Sequence, residues 1–131
     1  MTDIFDTHAH YDDKAFDEDR ETLLDGLPAQ GIARVVNIGA NLASCRRTVE
    51  LMDRYEYIYG AVGVHPSETG ELDEEKFGQL RGMCRAEKCV AIGEIGLDYY
   101  WKEPERDIQK KWFPRQLHLA REMGLPVVIH S

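Results

Sequence analysis

A chain of 131 residues with 43% apolar and 31% charged residues has the composition of one folded domain around one core, not of a disordered tail. A net charge of -8 argues against a protein that holds nucleic acid on a basic face. No apolar run approaches the roughly 20 residues that a membrane helix needs, and Met1-Thr2-Asp3 carries no basic leader. Cys45, Cys84 and Cys89 are an odd set without a Cys-x-x-Cys pair, so reduced thiols and a soluble, cytoplasmic protein are expected.

In chain order, Asp3 to Thr7 reads as a first strand that delivers Asp6-Thr7-His8-Ala9-His10 at its carboxyl end. Side chains two apart on a strand share a face, so His8 and His10 emerge together, with Asp6 behind them to orient a ring. A short or broken helix follows from about Asp17, with Leu23, Leu24 and Leu27 on one face, Gly26 and Pro28 weakening it and Gly31 stopping it. Ile32 to Ile38 is β-branched and reads as a buried second strand. Leu42, Cys45, Val49 and Met52 then recur at helical spacing behind a cap at Asn41 or Ser44.

Tyr57 to Val64 is the third strand, and Pro66 keeps His65 out of a helix at its end. A helix with Phe77, Leu80 and Cys84 on one face, capped by Asp73, leads to the strand Cys89 to Asp98, which carries Glu94 inside an apolar run. Pro104 opens a last helix from about Glu105 to Met123, Pro114 is expected to kink it, and Gly124 closes it. Pro126 to His130 is the fifth strand.

Strand and helix alternate throughout, and the strands are continuous apolar runs, which describes a parallel α/β sheet covered on both faces. Strand starts near 3, 34, 57, 90 and 126 lie about 31 residues apart, and eight such units give ~250 residues, the size of a (β/α)8 barrel. The expected fold is therefore the N-terminal half of a TIM barrel, one domain over residues 1–131, with Val90, Ile92 and Val128 facing its interior. Two unpaired sheet edges and an uncovered inner face predict self-association.

In such folds chemistry collects at the carboxyl ends of strands. His8, His10, His65, Glu94 and His130 all fall there, and a carboxylate buried at Glu94 is costly unless it meets a cation or an arginine. The imidazoles and Glu94 suit a divalent metal, and an acidic surface is compatible with a phosphate substrate when bound ions supply the positive charge. Lys102 and Arg106 read first as an exposed charged loop and second as contacts to a nucleic-acid backbone.

Asp6-Thr7-His8-Ala9-His10, Gly63-Val64-His65-Pro66, Gly93-Glu94-Ile95-Gly96-Leu97-Asp98-Tyr99 and Pro126-Val127-Val128-Ile129-His130-Ser131 resemble, in order, the motifs of the TatD-like metal-dependent deoxyribonucleases. The resemblance implies an amidohydrolase-type barrel with two divalent ions, Mg²⁺, Zn²⁺ or Mn²⁺, that cleaves DNA or another phosphodiester. It implies His8 and His10 on one ion, Glu94 bridging both as the catalytic carboxylate, and His130 on the second. His65 and Asp98 are expected to bind substrate or orient ligands. The family completes its site with a histidine after strand six and an aspartate after strand eight, neither within these 131 residues, so this stretch alone is expected to be inactive. Hydrolysis of another ester or an amide is the alternative.

Overall fold

The computed structural model describes residues 3–130. Five strands, β1 (Ile4–Ala9), β2 (Ile32–Ile38), β3 (Ile58–Val62), β4 (Cys89–Gly96) and β5 (Val127–His130), pair in sequence order, each parallel to the next. Four α-helices lie in the crossovers: α1 (Arg20–Gly26), α2 (Leu42–Arg54), α3 (Glu74–Met83) and α4 (Arg106–Met123). A strand order that never reverses has no switch point and curls the sheet into half of a TIM barrel. Fold class and element order are as the sequence predicts.

Two kinds of core follow from strand alternation. Val62, Val64, Ile92 and Ile95 pack with Phe77, Leu80, Trp112 and Leu119, and Val35 and Ile58 pack with Leu24, Leu51 and Met52, all on the helix side of the sheet. Each of these side chains contributes roughly 1.5–3 kcal/mol by leaving water. The opposite face is built by strands alone, where Ile38, Ala61 and Ala91 meet Val36 and Val128. Ile92 thus belongs to the helix side and not to the barrel interior. A register shift between Gly60 and Ala61 against β4 inserts an extra residue after Cys89 and reverses the expected phase. The outermost strands expose Ile4 (51%), Phe5 (66%) and Ile129 (51%).

Local chemistry sets the helix ends. Asn41 and Ser44 act together as a capping box on α2, and the Asp73 side chain accepts from the Lys76 N–H to cap α3. Gly31 and Gly124, at φ of 96° and 67°, end their segments in the left-handed region that glycine tolerates. The first helical segment is broken as expected, into a 3₁₀ turn at Lys14–Phe16, α1, and a second turn at Pro28–Gln30. α4 runs through Pro114 as one helix, with the missing N–H leaving a carbonyl one turn back without its usual donor.

Candidate metal centre

β1 extends to Ala9, two residues past the expected end, because pairing continues to Ala9 opposite Asn37 across a register shift. Ala9 is buried on the helix side, so His8 and His10 flank it on the other face, with ring centroids 5.1 Å apart. Asp6 does not orient either ring: its carboxylate accepts from the His8 backbone N–H at 3.3 Å and from the Tyr11 hydroxyl at 3.4 Å. The His10 ring is set instead by Nδ1–H donating to the Ile38 carbonyl at 2.9 Å, which leaves Nε2 with its lone pair free. Asn37, fully buried at the end of β2, accepts from the Tyr11 N–H at 2.7 Å and donates to Asp12 at 2.9 Å, fixing the chain just after His10.

Glu94 stands at the middle of the cluster, its side chain only 14% exposed. Oε2 lies 3.3 Å from His8 Nε2, whereas Oε1 lies 3.5 Å from His65 Nε2 and 3.6 Å from His130 Nδ1. No arginine is among the ion-pair partners of Glu94 in the described residues, which removes the structural ion pair as its explanation. Good N–H···O bonds fall at about 2.7–3.2 Å, so these separations are long for hydrogen bonds. They match the ~3.4 Å edge between two ligands of a tetrahedral ion with bonds near 2.1 Å. Donor atoms of His65, Glu94 and His130 all lie within 4.8 Å of one another, a grouping whose distances suit a metal ion, although the His65 tautomer takes that ring out of the ligand set. The donor set, neutral imidazole and carboxylate, fits a divalent ion.

Neighbouring hydrogen bonds decide which nitrogen faces Glu94. Asp98 Oδ2 lies 3.1 Å from His130 Nε2, and an ionised carboxylate requires the proton there, so His130 turns the Nδ1 lone pair toward Glu94. His65 has the opposite arrangement. Its Nδ1 accepts the Ser67 backbone N–H at 3.1 Å, with the Ser67 hydroxyl 2.8 Å away, so the proton sits on Nε2 and points into the cluster. Burial, then the neighbouring His130, lowers the His65 pKa and keeps its ring neutral. Asp98, expected to bind substrate or orient ligands, has its other oxygen engaged as well, accepting the Tyr100 N–H at 3.1 Å.

Two buried glutamines on α4, a helix the sequence offered only as packing, brace these strand ends. Gln116 accepts from the Val64 N–H at 2.8 Å and donates to the Val64 carbonyl at 3.2 Å, immediately before His65. Gln109 accepts from the Asp98 N–H at 2.7 Å and donates to the carbonyls of Asp98 and Pro104, each at 2.9 Å. They lie two turns apart on the face that also carries Trp112 and Leu119, and a polar residue on such a face was the signal available in the sequence. Close backbone approach explains the motif glycines. A Cβ on Gly63 would sit 2.8 Å from three backbone atoms of Gly93, and Gly96 combines a φ of 150° with a His130 carbonyl 2.8 Å from where its Cβ would be.

Comparison with known proteins gives a consistent result. The "Uncharacterized metal-dependent hydrolase YabD" of Bacillus subtilis (strain 168) is 38% identical over 128 residues, covering 98% of this chain and 50% of the relative. The "3'-5' ssDNA/RNA exonuclease TatD" of Cronobacter sakazakii is 31% identical over 127 residues, covering 97% and 48%. The crystal structure of YjjV, a TatD homologue from Escherichia coli K12, matches with a TM-score of 0.88 at 32% identity, covering 98% of this chain and 50% of that one. The chain therefore spans about half the length of the curated relatives it matches. The family described as TatD related DNase matches residues 5–131, and the chain belongs to that family.

Proposed function

We propose that this half barrel supplies the metal-binding half of a two-ion phosphodiesterase acting on DNA. The observation that carries the reading is the division of labour at Glu94: one oxygen faces His8 and the other faces His65 and His130. The residues that would hold metal are Glu94 with His8 and His10 on one side and Glu94 with His130 Nδ1 on the other. Divalent ions held there would supply charge stabilisation at a phosphoryl oxygen and a nucleophile from water at neutral pH. Mg²⁺, Zn²⁺ and Mn²⁺ all accept this donor set.

The remaining roles belong to the side chains themselves. His65 presents Nε2–H as a donor for a non-bridging phosphate oxygen. Asp98 is a positioning residue, which holds the His130 proton on Nε2 and so keeps Nδ1 free. The "3'-5' ssDNA/RNA exonuclease" name of the Cronobacter sakazakii relative supports a nucleic-acid substrate. YabD is named only as a metal-dependent hydrolase, so another ester or an amide is the second reading. Within residues 1–131 the second ion would have two protein ligands, Glu94 and His130, where about three are usual at a catalytic zinc. Turnover is therefore assigned to a barrel completed through strand eight.

The test is DNA cleavage by such a completed barrel, with and without chelator, beside its Glu94→Gln variant. Cleavage that requires Mn²⁺ or Mg²⁺ and falls at least about a hundredfold in the variant is expected, because Gln keeps the shape and loses the bridging anion. Cleavage that persists in both chelator and variant overturns the reading, and a panel of carboxylic esters and amides decides between the two substrate classes.

A further inference from the structure

We propose that the loop after β4 is a stacking platform for unpaired bases of the strand whose phosphate reaches Glu94; this rests on the phosphodiesterase reading above. Three consecutive aromatic rings stand there in solvent, with Tyr99 37%, Tyr100 83% and Trp101 62% exposed. Single exposed rings are ordinary, but three in a row beside the Glu94 cluster form an exposed aromatic surface.

The rings are held in place from several directions. Gln109, itself fully buried, bonds to Asp98 at one end of the loop and Pro104 at the other. The Tyr100 N–H is fixed on Asp98, the Tyr100 and Trp101 rings meet edge to face at 4.7 Å, and the Arg106 guanidinium lies 4.5 Å over Tyr99. Rings ordered beforehand lose little entropy when a ligand stacks on them.

Position links the platform to the site. Asp98 touches His130, and Trp101 follows three residues later, so the Trp101 Cα lies within about 11 Å of the Asp98 Cα. With bases about 3.4 Å apart along a stacked strand, a reach of that size puts the platform within a few nucleotides of a strand end seated at the cluster. Charge selects the kind of contact. Lys102 and Arg106 are outnumbered by Glu103, Glu105 and Asp107 in the same segment, and the whole chain carries -8. Affinity therefore comes from ring faces, which any base satisfies, and its salt dependence is shallow. Paired bases keep their faces inside the duplex, which restricts the platform to single strands.

Trp101 reports directly, since the second tryptophan, Trp112, is buried at 2% exposure. An eight-residue oligothymidylate is titrated into the protein while tryptophan emission is followed, with one arm in EDTA. An abasic oligonucleotide of the same length and a duplex are run beside it. The expected result is quenching by oligothymidylate in both arms, little by the abasic strand or duplex, and none in Trp101→Phe. Fluorescence anisotropy with labelled oligothymidylate should show Tyr100→Ala/Trp101→Ala binding about tenfold or more weaker at an unchanged melting temperature. Equal binding of abasic and thymidylate strands, or undiminished binding by the folded double variant, overturns the platform. So does a patch that changes only self-association in light scattering without base-dependent quenching. Mn²⁺ titration of the same samples separates the two readings: quenching without metal binding sustains the platform and removes the metal centre.

Discussion

At the level of single residues, Asp98 illustrates how a group without a free oxygen still governs the site. Its Oδ2 fixes the His130 tautomer and its Oδ1 holds the Tyr100 N–H. Asp98→Asn places a weaker and ambiguous partner against Nε2, so Mn²⁺ affinity measured by calorimetry should fall about 10–100-fold while the melting temperature changes little. An unchanged affinity would mean that His130 is oriented by something else. The gathering of the histidines and Glu94 at the strand ends was legible in the sequence because the histidines follow or end short apolar runs and Glu94 interrupts one. The face Glu94 takes was not, since a register shift between Gly93 and Ile95 places Ile92 and Ile95 together on the helix side. Asn37, Gln109 and Gln116 were not singled out, since an amide on a helix or strand resembles a solvated residue until the partner it satisfies, distant in sequence, is visible.

Among the elements, α4 does more than cover the sheet. Its buried face carries Gln109 and Gln116 between Trp112 and Leu119, so a single helix ties the ends of β3 and β4. Gln116→Ala leaves the Val64 N–H and carbonyl without partners in a dry environment, at a cost of about 1–3 kcal/mol. Urea unfolding should show that loss, and amide exchange at Val64 and His65 should accelerate more than at the β2 amides; a uniform change would assign Gln116 to general packing. Element types and order followed from apolar runs and from Gly, Pro, Asn and Asp at their borders. Phase within β4 did not follow, because nothing in Cys89 to Ala91 signals the extra residue that puts Ile92 against the helices.

For the molecule as a whole, two sheet edges and the exposed Ile4, Phe5 and Ile129 make association the expected behaviour of residues 1–131 in isolation. Light scattering should report dimers or larger species at micromolar concentration, and Phe5→Lys with Ile129→Lys should shift them toward monomer; a monodisperse wild-type monomer would contradict this. Alkaline stability has a separate origin. Burial pushes the Cys45 thiol up to about 12, above its ordinary 9.0, so above pH 9 the unfolded chain releases a proton that the folded chain keeps. Stability attributable to Cys45 is complete below pH 9 and declines toward pH 12, by up to ~1.4 kcal/mol per pH unit. Cys45→Ala should flatten that decline in urea midpoints measured between pH 8 and 11, and an identical pH profile would remove Cys45 as the cause.

The central claim is that Glu94 gathers metal between the ends of β1, β3 and β5. Anomalous diffraction from Mn²⁺-soaked crystals tests it without relying on turnover. The expected map has a peak within about 2.0–2.3 Å of a Glu94 oxygen, sharing its coordination with His130 Nδ1 or His8 Nε2. Saturating Mn²⁺ with no anomalous peak in contact with Glu94, or peaks only elsewhere on the surface, would contradict it.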